Sequence, residues 1–175
     1  MKLYCTYTCE KNSEALLACT FVKKYTCIIT EATIKSRNFI KKIIGNHVSD
    51  QFNNDCVDTI LFDGKSVEYF PRGLEKIFPS LKTVAIRKCG LKSLSREDLN
   101  GLENIECLDL SYNALHSLPT NLFTGMNKLT SISFYGNDVE YISSKIFYPI
   151  EKNLEYELLR EPQNKLLLPE TCLSL

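Results

Sequence analysis

The chain has 175 residues, 44% of them hydrophobic and 24% charged, the size and balance of one folded domain. Its 21 basic and 21 acidic residues are mixed along the chain, so there is no basic stripe to neutralise phosphates, and nucleic acid is not expected as a partner. No segment approaches the roughly 18 to 20 consecutive apolar residues that span a bilayer, so no membrane span is expected.

The first 56 residues are irregular. The opening Met1-Lys2-Leu3-Tyr4-Cys5-Thr6 has no apolar core of the kind that marks a signal peptide, and the chain has no Asn-x-Ser/Thr acceptor site. Cys5, Cys9, Cys19 and Cys27 crowd together, and Cys56 stands just before the first regular segment. Cysteines that close read as a disulfide-stapled cap in an oxidising compartment, although sequence does not choose among their pairings. No pair has C-x2-C spacing and His47 and His116 lie far away, so no metal is expected. The crowded cysteines and the missing signal point to opposite compartments. A secreted protein whose signal lies outside this sequence reconciles them. Residue Ser13 is a candidate cap for a short helix over 14–24. Residues 25–34 alternate and are rich in β-formers, which predicts a strand or hairpin. A further strand is expected around 40–44, then a polar loop to Cys56.

From Val57 the chain fits the template L-x-x-L-x-L-x-x-N-x-L at a period of 24 residues. Val57, Ile60, Phe62, Lys65 and Val67 form the first copy. Leu81, Val84, Ile86, Cys89 and Leu91 form the second, and Ile105, Leu108, Leu110, Asn113 and Leu115 the third. Leu129, Ile132, Phe134, Asn137 and Val139 complete four copies without an insertion. The L-x-L core of each is a short strand with alternate side chains inward. Asparagine at the ninth position can satisfy buried backbone groups at a sharp turn. Cys89 fits that site as a small buried residue, whereas Lys65 marks the first copy as an edge. Segments such as Leu118-Pro119-Thr120-Asn121-Leu122-Phe123 return on the other side, as irregular or short helical turns. A fifth copy keeps register weakly through Tyr156 and Leu158. Residues 153–175 therefore read as a degenerate repeat and a tail, after a cap over 1–56 and four repeats over 57–152. Cys172, in the tail, is either unpaired or free to make an intermolecular bond.

These residues resemble the extracellular leucine-rich-repeat family, more narrowly the small secreted repeat proteins of flies and midges. The resemblance rests on Tyr25-Thr26-Cys27 with Thr33-Ile34, on Tyr69-Phe70-Pro71-Arg72-Gly73-Leu74, on the 118–123 segment, and on Ile132-Ser133-Phe134-Tyr135-Gly136-Asn137. It covers roughly residues 25–150. It implies a β-rich α/β repeat: a curved solenoid with short parallel strands on its concave face, irregular or short helical convex segments and a cysteine-bearing N-terminal cap. It also implies a protein-binding role.

In such a stack the outward strand residues form columns. The first holds Thr59, Thr83, Cys107 and Ser131, and the second Leu61, Ala85, Asp109 and Ser133. The third holds Asp63, Arg87, Ser111 and Tyr135, and the fourth Gly64, Lys88, Tyr112 and Gly136. Tyrosine and arginine are the residues that most often anchor interfaces. The expected contact set is Tyr112, Tyr135 and Arg87, with Lys88, Asp109, Asp63 and Leu61 around them. Cys107 falls on the open face, where the neighbouring Asp109 disfavours a thiolate. His47 and His116 stand in loops, and neither a glycine-rich phosphate loop nor a carboxylate pair appears, so no catalysis and no cofactor are expected. The partner expected is a protein ligand or receptor, outside the cell. The alternatives are an intracellular adaptor with reduced thiols and, as a further partner, a second copy joined through an exposed end of this short stack.

Overall fold

A computed structural model describes residues 1–10, 24–154 and 156–158. Five strands build the start of the fold: β1 (Lys2–Glu10), β2 (Lys24–Glu31), β3 (Thr33–Ile34), β4 (Lys42–Ile44) and β5 (Thr59–Asp63). Next come β6 (Ser66–Val67), β7 (Thr83–Arg87), β8 (Cys107–Asp109), β9 (Ser131–Ser133) and β10 (Tyr156–Leu158). Among the described residues, eight strands form one sheet in the order β10-β9-β8-β7-β5-β2-β1-β4.

The repeat fixes the register. Thr59 pairs with Thr83, Thr83 with Cys107 and Cys107 with Ser131, and Leu61, Ala85, Asp109 and Ser133 pair likewise, all in parallel, so the first two columns read from sequence are columns of the sheet. Val57, Ile60, Phe62, Val84, Ile86, Leu108, Leu110 and Ile132 point to the other side and are fully buried. Between strands the chain returns through short turns: helix α1 (Leu74–Ile77) and the single 3-10 turns Arg96–Leu99 and Ser144–Ile146. These are the short helical segments the sequence predicts, and Leu74, Leu99, Leu122, Phe123 and Ile146 close the core from that side. One buried ion pair ties consecutive returns together. Arg72 holds Asp98, whose side chain is fully buried, at 2.6 Å, while Asp98 also caps the turn at Ser95.

The ninth position forms a ladder. Asn113 accepts from the backbone N–H groups of Cys89 and Leu91 and donates to the carbonyls of Ile86, Leu110 and Ser111. Asn137 accepts from Leu115 N–H and donates to Leu110 and Phe134 carbonyls. Cys89 is a weaker version: its thiol donates to the Arg87 carbonyl at 2.9 Å and its sulfur accepts from Lys65 N–H at 3.4 Å. Lys65 stays partly exposed, as an edge residue should.

The cap continues the sheet rather than forming a separate lid. Strand β2 pairs in parallel with β5, β1 antiparallel with β2, and β4 parallel with β1. The strands expected over 25–34 and around 40–44 are present; β1 is an addition. The helix considered over 14–24 lies outside the described residues.

Two expectations change. At the far end, Tyr156 pairs with Ser131 and Glu157 with Ile132, one residue out of step with the 24-residue period, so the fifth strand forms but the period does not carry through it. In the cap, Cys5, Cys27 and Cys56 are free thiols. Cys5 and Cys27 face the core on neighbouring strands, where they bury as small apolar side chains and hydrogen-bond to each other. Cys56 sits exposed in the turn Asn54–Cys56, its thiol directed to Asn53 Oδ1 at 3.6 Å. The side chains of Cys9 and Cys19, the other two disulfide candidates, lie outside the described residues.

Candidate functional site

The outward columns differ sharply in access. In the first two, Thr59, Thr83, Ala85, Cys107, Asp109, Ser131 and Ser133 are all buried, and Leu61 is the most open at 8%. Leu61 and Asp109 are therefore not available at the surface. Asp109 instead accepts from Ser111 N–H at 3.0 Å and shapes the turn after β8. Cys107 is disulfide-bonded, so the open-face thiol weighed for it is not a free one.

Access is recovered at the edge of the sheet, in the third and fourth columns. The fourth column is the one place where the backbone turns left-handed in every copy: φ is 62° at Gly64, 53° at Lys88, 55° at Tyr112 and 68° at Gly136. The turn closes because each of the first three N–H groups donates one copy onward: Gly64 to Arg87 O, Lys88 to Ser111 O and Tyr112 to Tyr135 O, the last at 2.6 Å. Glycine suits that conformation, whereas a side chain there costs about 1 kcal/mol through its Cβ. Lys88 and Tyr112 carry that strain and hold their side chains in water.

Those side chains form one ledge. The Tyr112 ring, 48% exposed, meets the Tyr135 ring edge-on at 5.2 Å between centroids and 79° between planes. Lys88 Nζ lies 5.8 Å from the Tyr112 centroid, within cation–π range. Gly136 makes room for the pair, because a Cβ there would stand 2.6 Å from Tyr112 Cδ1. Beside the ledge, Arg87 reaches across to Asp63 at 2.8 Å, while its buried Nε has no hydrogen-bond partner among the described residues. The structure thus brings together Tyr112, Tyr135, Lys88, Arg87 and Asp63. Sequence reasoning missed the left-handed column, and Gly64 and Gly136 at the same repeat position were the signal for it.

The histidines have ordinary surroundings. His47 stacks on Tyr7 at 4.0 Å and shares a 2.8 Å hydrogen bond with the Tyr25 hydroxyl, while His116 is exposed. Among the described residues there is no group of three or more His, Cys, Asp and Glu placed to hold a metal ion, and no helix is long and apolar enough to cross a membrane.

A family model described as leucine rich repeat matches residues 79–139, the second to fourth copies. No curated protein matches the sequence. Among solved structures, the chain is similar to a chain from the "Structure of the Toll - Spatzle complex, a molecular hub in Drosophila development and innate immunity". The identity is 18% and the TM-score 0.57; the likeness covers 70% of this chain but only 17% of that one. Four parallel strands in register, the asparagine ladder and these two matches converge on a single architecture: the chain has the fold of a leucine-rich-repeat solenoid.

Proposed function

We propose that this chain is a protein-recognition module whose contact surface is the Lys88–Tyr112–Tyr135 ledge with Arg87 and Asp63 beside it. The observation that carries the reading is the left-handed backbone at Lys88 and Tyr112. Glycine would remove the strain, as it does at the two ends of the same column, so the side chains are present at a cost to folding, and strain of that kind concentrates at functional sites. A rigid aromatic pair with a neighbouring cation suits a protein segment that offers a carboxylate next to an apolar side chain. The ledge is pre-formed, which lowers the ordering cost of binding. The similar fold in the Toll–Spatzle complex supports a protein as the partner.

We place the protein outside the cell, on the support of the Cys107 disulfide. A second reading, an intracellular repeat adaptor, is favoured by the free thiols at Cys5, Cys27, Cys56 and Cys89. Intact mass of the natively expressed protein, with free thiols alkylated before reduction, separates the two: eight alkylated cysteines select the adaptor.

The recognition test is a binding screen against an array of extracellular proteins from the source organism, using wild type and the double variant Tyr112→Ala/Tyr135→Ala. Partners bound by wild type should weaken at least tenfold with the double variant, while its urea midpoint stays close to wild type. Equal binding by the two proteins removes the ledge from the mechanism.

A further inference from the structure

We propose that the outer edge of β4 receives an extended, acidic segment of a partner protein as a further strand of the sheet, with its carboxylates against Lys2 and Lys42. Strand β4 ends the sheet order. Every second N–H and C=O group along Lys42–Ile44 therefore points away from β1, and among the described residues no strand pairs with that side. The register also sets two cations side by side. Lys2 pairs with Lys42 across β1 and β4, both exposed, and like charges directly opposite one another destabilise a sheet. Among the described residues, neither these two nor the neighbouring Lys41 stands within ion-pair distance of a carboxylate. In register, Glu31 stands opposite Tyr4 on β2, on the far side of β1 from Lys42.

The surroundings select the occupant. Residues 32–49 carry Lys35, Arg37, Lys41 and Lys42 and no acid, in a chain of zero net charge. Arg37 is committed to Asp98 and Ser93, which leaves the lysines at the edge. A second copy would set Lys41 and Lys42 against their own counterparts, so self-pairing is opposed, which is how lysine guards an exposed edge. An acidic segment meets the reverse sign, and its carboxylate relieves the repulsion between Lys2 and Lys42. The edge is not polar throughout. Phe39 and Val48, 56% and 50% exposed, bracket β4 in the chain, and the exposed Tyr4 neighbours Ile44. Ile43 and Leu3 are buried on the core side of the strands, whereas Lys42 and Lys2 face outward. An added strand that alternates acidic and apolar residues continues both layers, with apolar side chains beside Ile43 and carboxylates beside Lys42. Its main chain completes the ladder and supplies affinity, while the alternation supplies specificity.

This edge lies five strands along the sheet from β8, roughly 24 Å, so the proposal stands or falls separately from recognition at Tyr112. The experiment is fluorescence anisotropy of the full chain with a labelled hexapeptide that alternates Glu and Val. Its controls are the hexapeptide that alternates Lys and Val, and the Glu–Val peptide N-methylated at alternate residues. Wild type should bind the Glu–Val peptide at least tenfold tighter than either control. Lys42→Glu should weaken that binding at least tenfold, and Tyr112→Ala/Tyr135→Ala should leave it unchanged. Equal binding of the N-methylated peptide would reduce the contact to charge attraction without strand pairing, and overturns the proposal. So does binding that survives Lys42→Glu, or that is lost with the tyrosine variant. Two further outcomes overturn it by assigning the edge elsewhere: binding of phosphatidylserine vesicles with none of the peptide, and a doubling of mass in sedimentation that Lys42→Glu abolishes.

Discussion

At the scale of the residue, two repeat positions do most to set this molecule's character. Asn113 answers five backbone groups at once, two of them the buried N–H groups of Cys89 and Leu91. Alanine there leaves both donors unpaired, and a buried donor without a partner costs roughly 1–3 kcal/mol. Asn113→Ala is therefore expected to lose about 3 kcal/mol in urea unfolding, with Asn113→Asp between it and wild type. The fourth column argues in the opposite direction. Lys88→Gly relieves the left-handed strain and removes an exposed side chain, so it should raise the unfolding free energy measured in urea, by at most about 1 kcal/mol. A fall in stability would mean that the Lys88 side chain supports the fold. The asparagine role was legible in sequence because the template fixes the position. The strain at Lys88 and Tyr112 was not, since it depends on how the turn closes onto the next copy.

At the scale of the element, the strands of the repeats were legible and the cap was legible only in part. A period of 24 without insertion fixes which side chains face the core, and the observed register confirms the first two columns and the Asp63–Arg87 pair of the third. Strand β1 was missed although Leu3, Cys5 and Tyr7 alternate with Lys2, Tyr4 and Thr6. The crowded cysteines drew the reading towards a cystine-stapled cap. Cys5 and Cys27 serve as small core residues instead. That difference has a pH signature. Burial pushes the thiols of Cys27 and Cys89 and the Tyr7 hydroxyl above their ordinary values, whereas the hydrogen bond with Cys27 draws Cys5 down. A raised group keeps its proton in the folded state, so its stabilisation is complete below the ordinary thiol value of 9.0 and declines as pH rises past it. Cys5 acts in the opposite sense but is one thiol against two, and Tyr7 adds to the loss only above its ordinary value of 10.0. The melting temperature should hold steady from pH 7 to 8.5 and fall between pH 9 and 10. An unchanged value across that interval would rule out these buried groups as a stability term.

At the scale of the whole molecule, cap and repeats share one sheet and one core, with apolar layers running from Leu3 to Ile150. Sequence located that core and the outward columns. It could not show that the first two columns are buried, because alternation along a strand gives the side a residue faces and not its exposure. The surface proposed for recognition is consequently an edge rather than a face.

The asparagine ladder also has a direction. Asn113 reaches back to lock the turn of the copy before it, at Cys89 and Leu91, and Asn137 reaches back to Leu115. Each copy is thus clamped by its successor. Opening is then a one-way process, like a row of latches that must be undone from the last. Amide hydrogens near Leu91 should exchange only after those near Leu115 have been released.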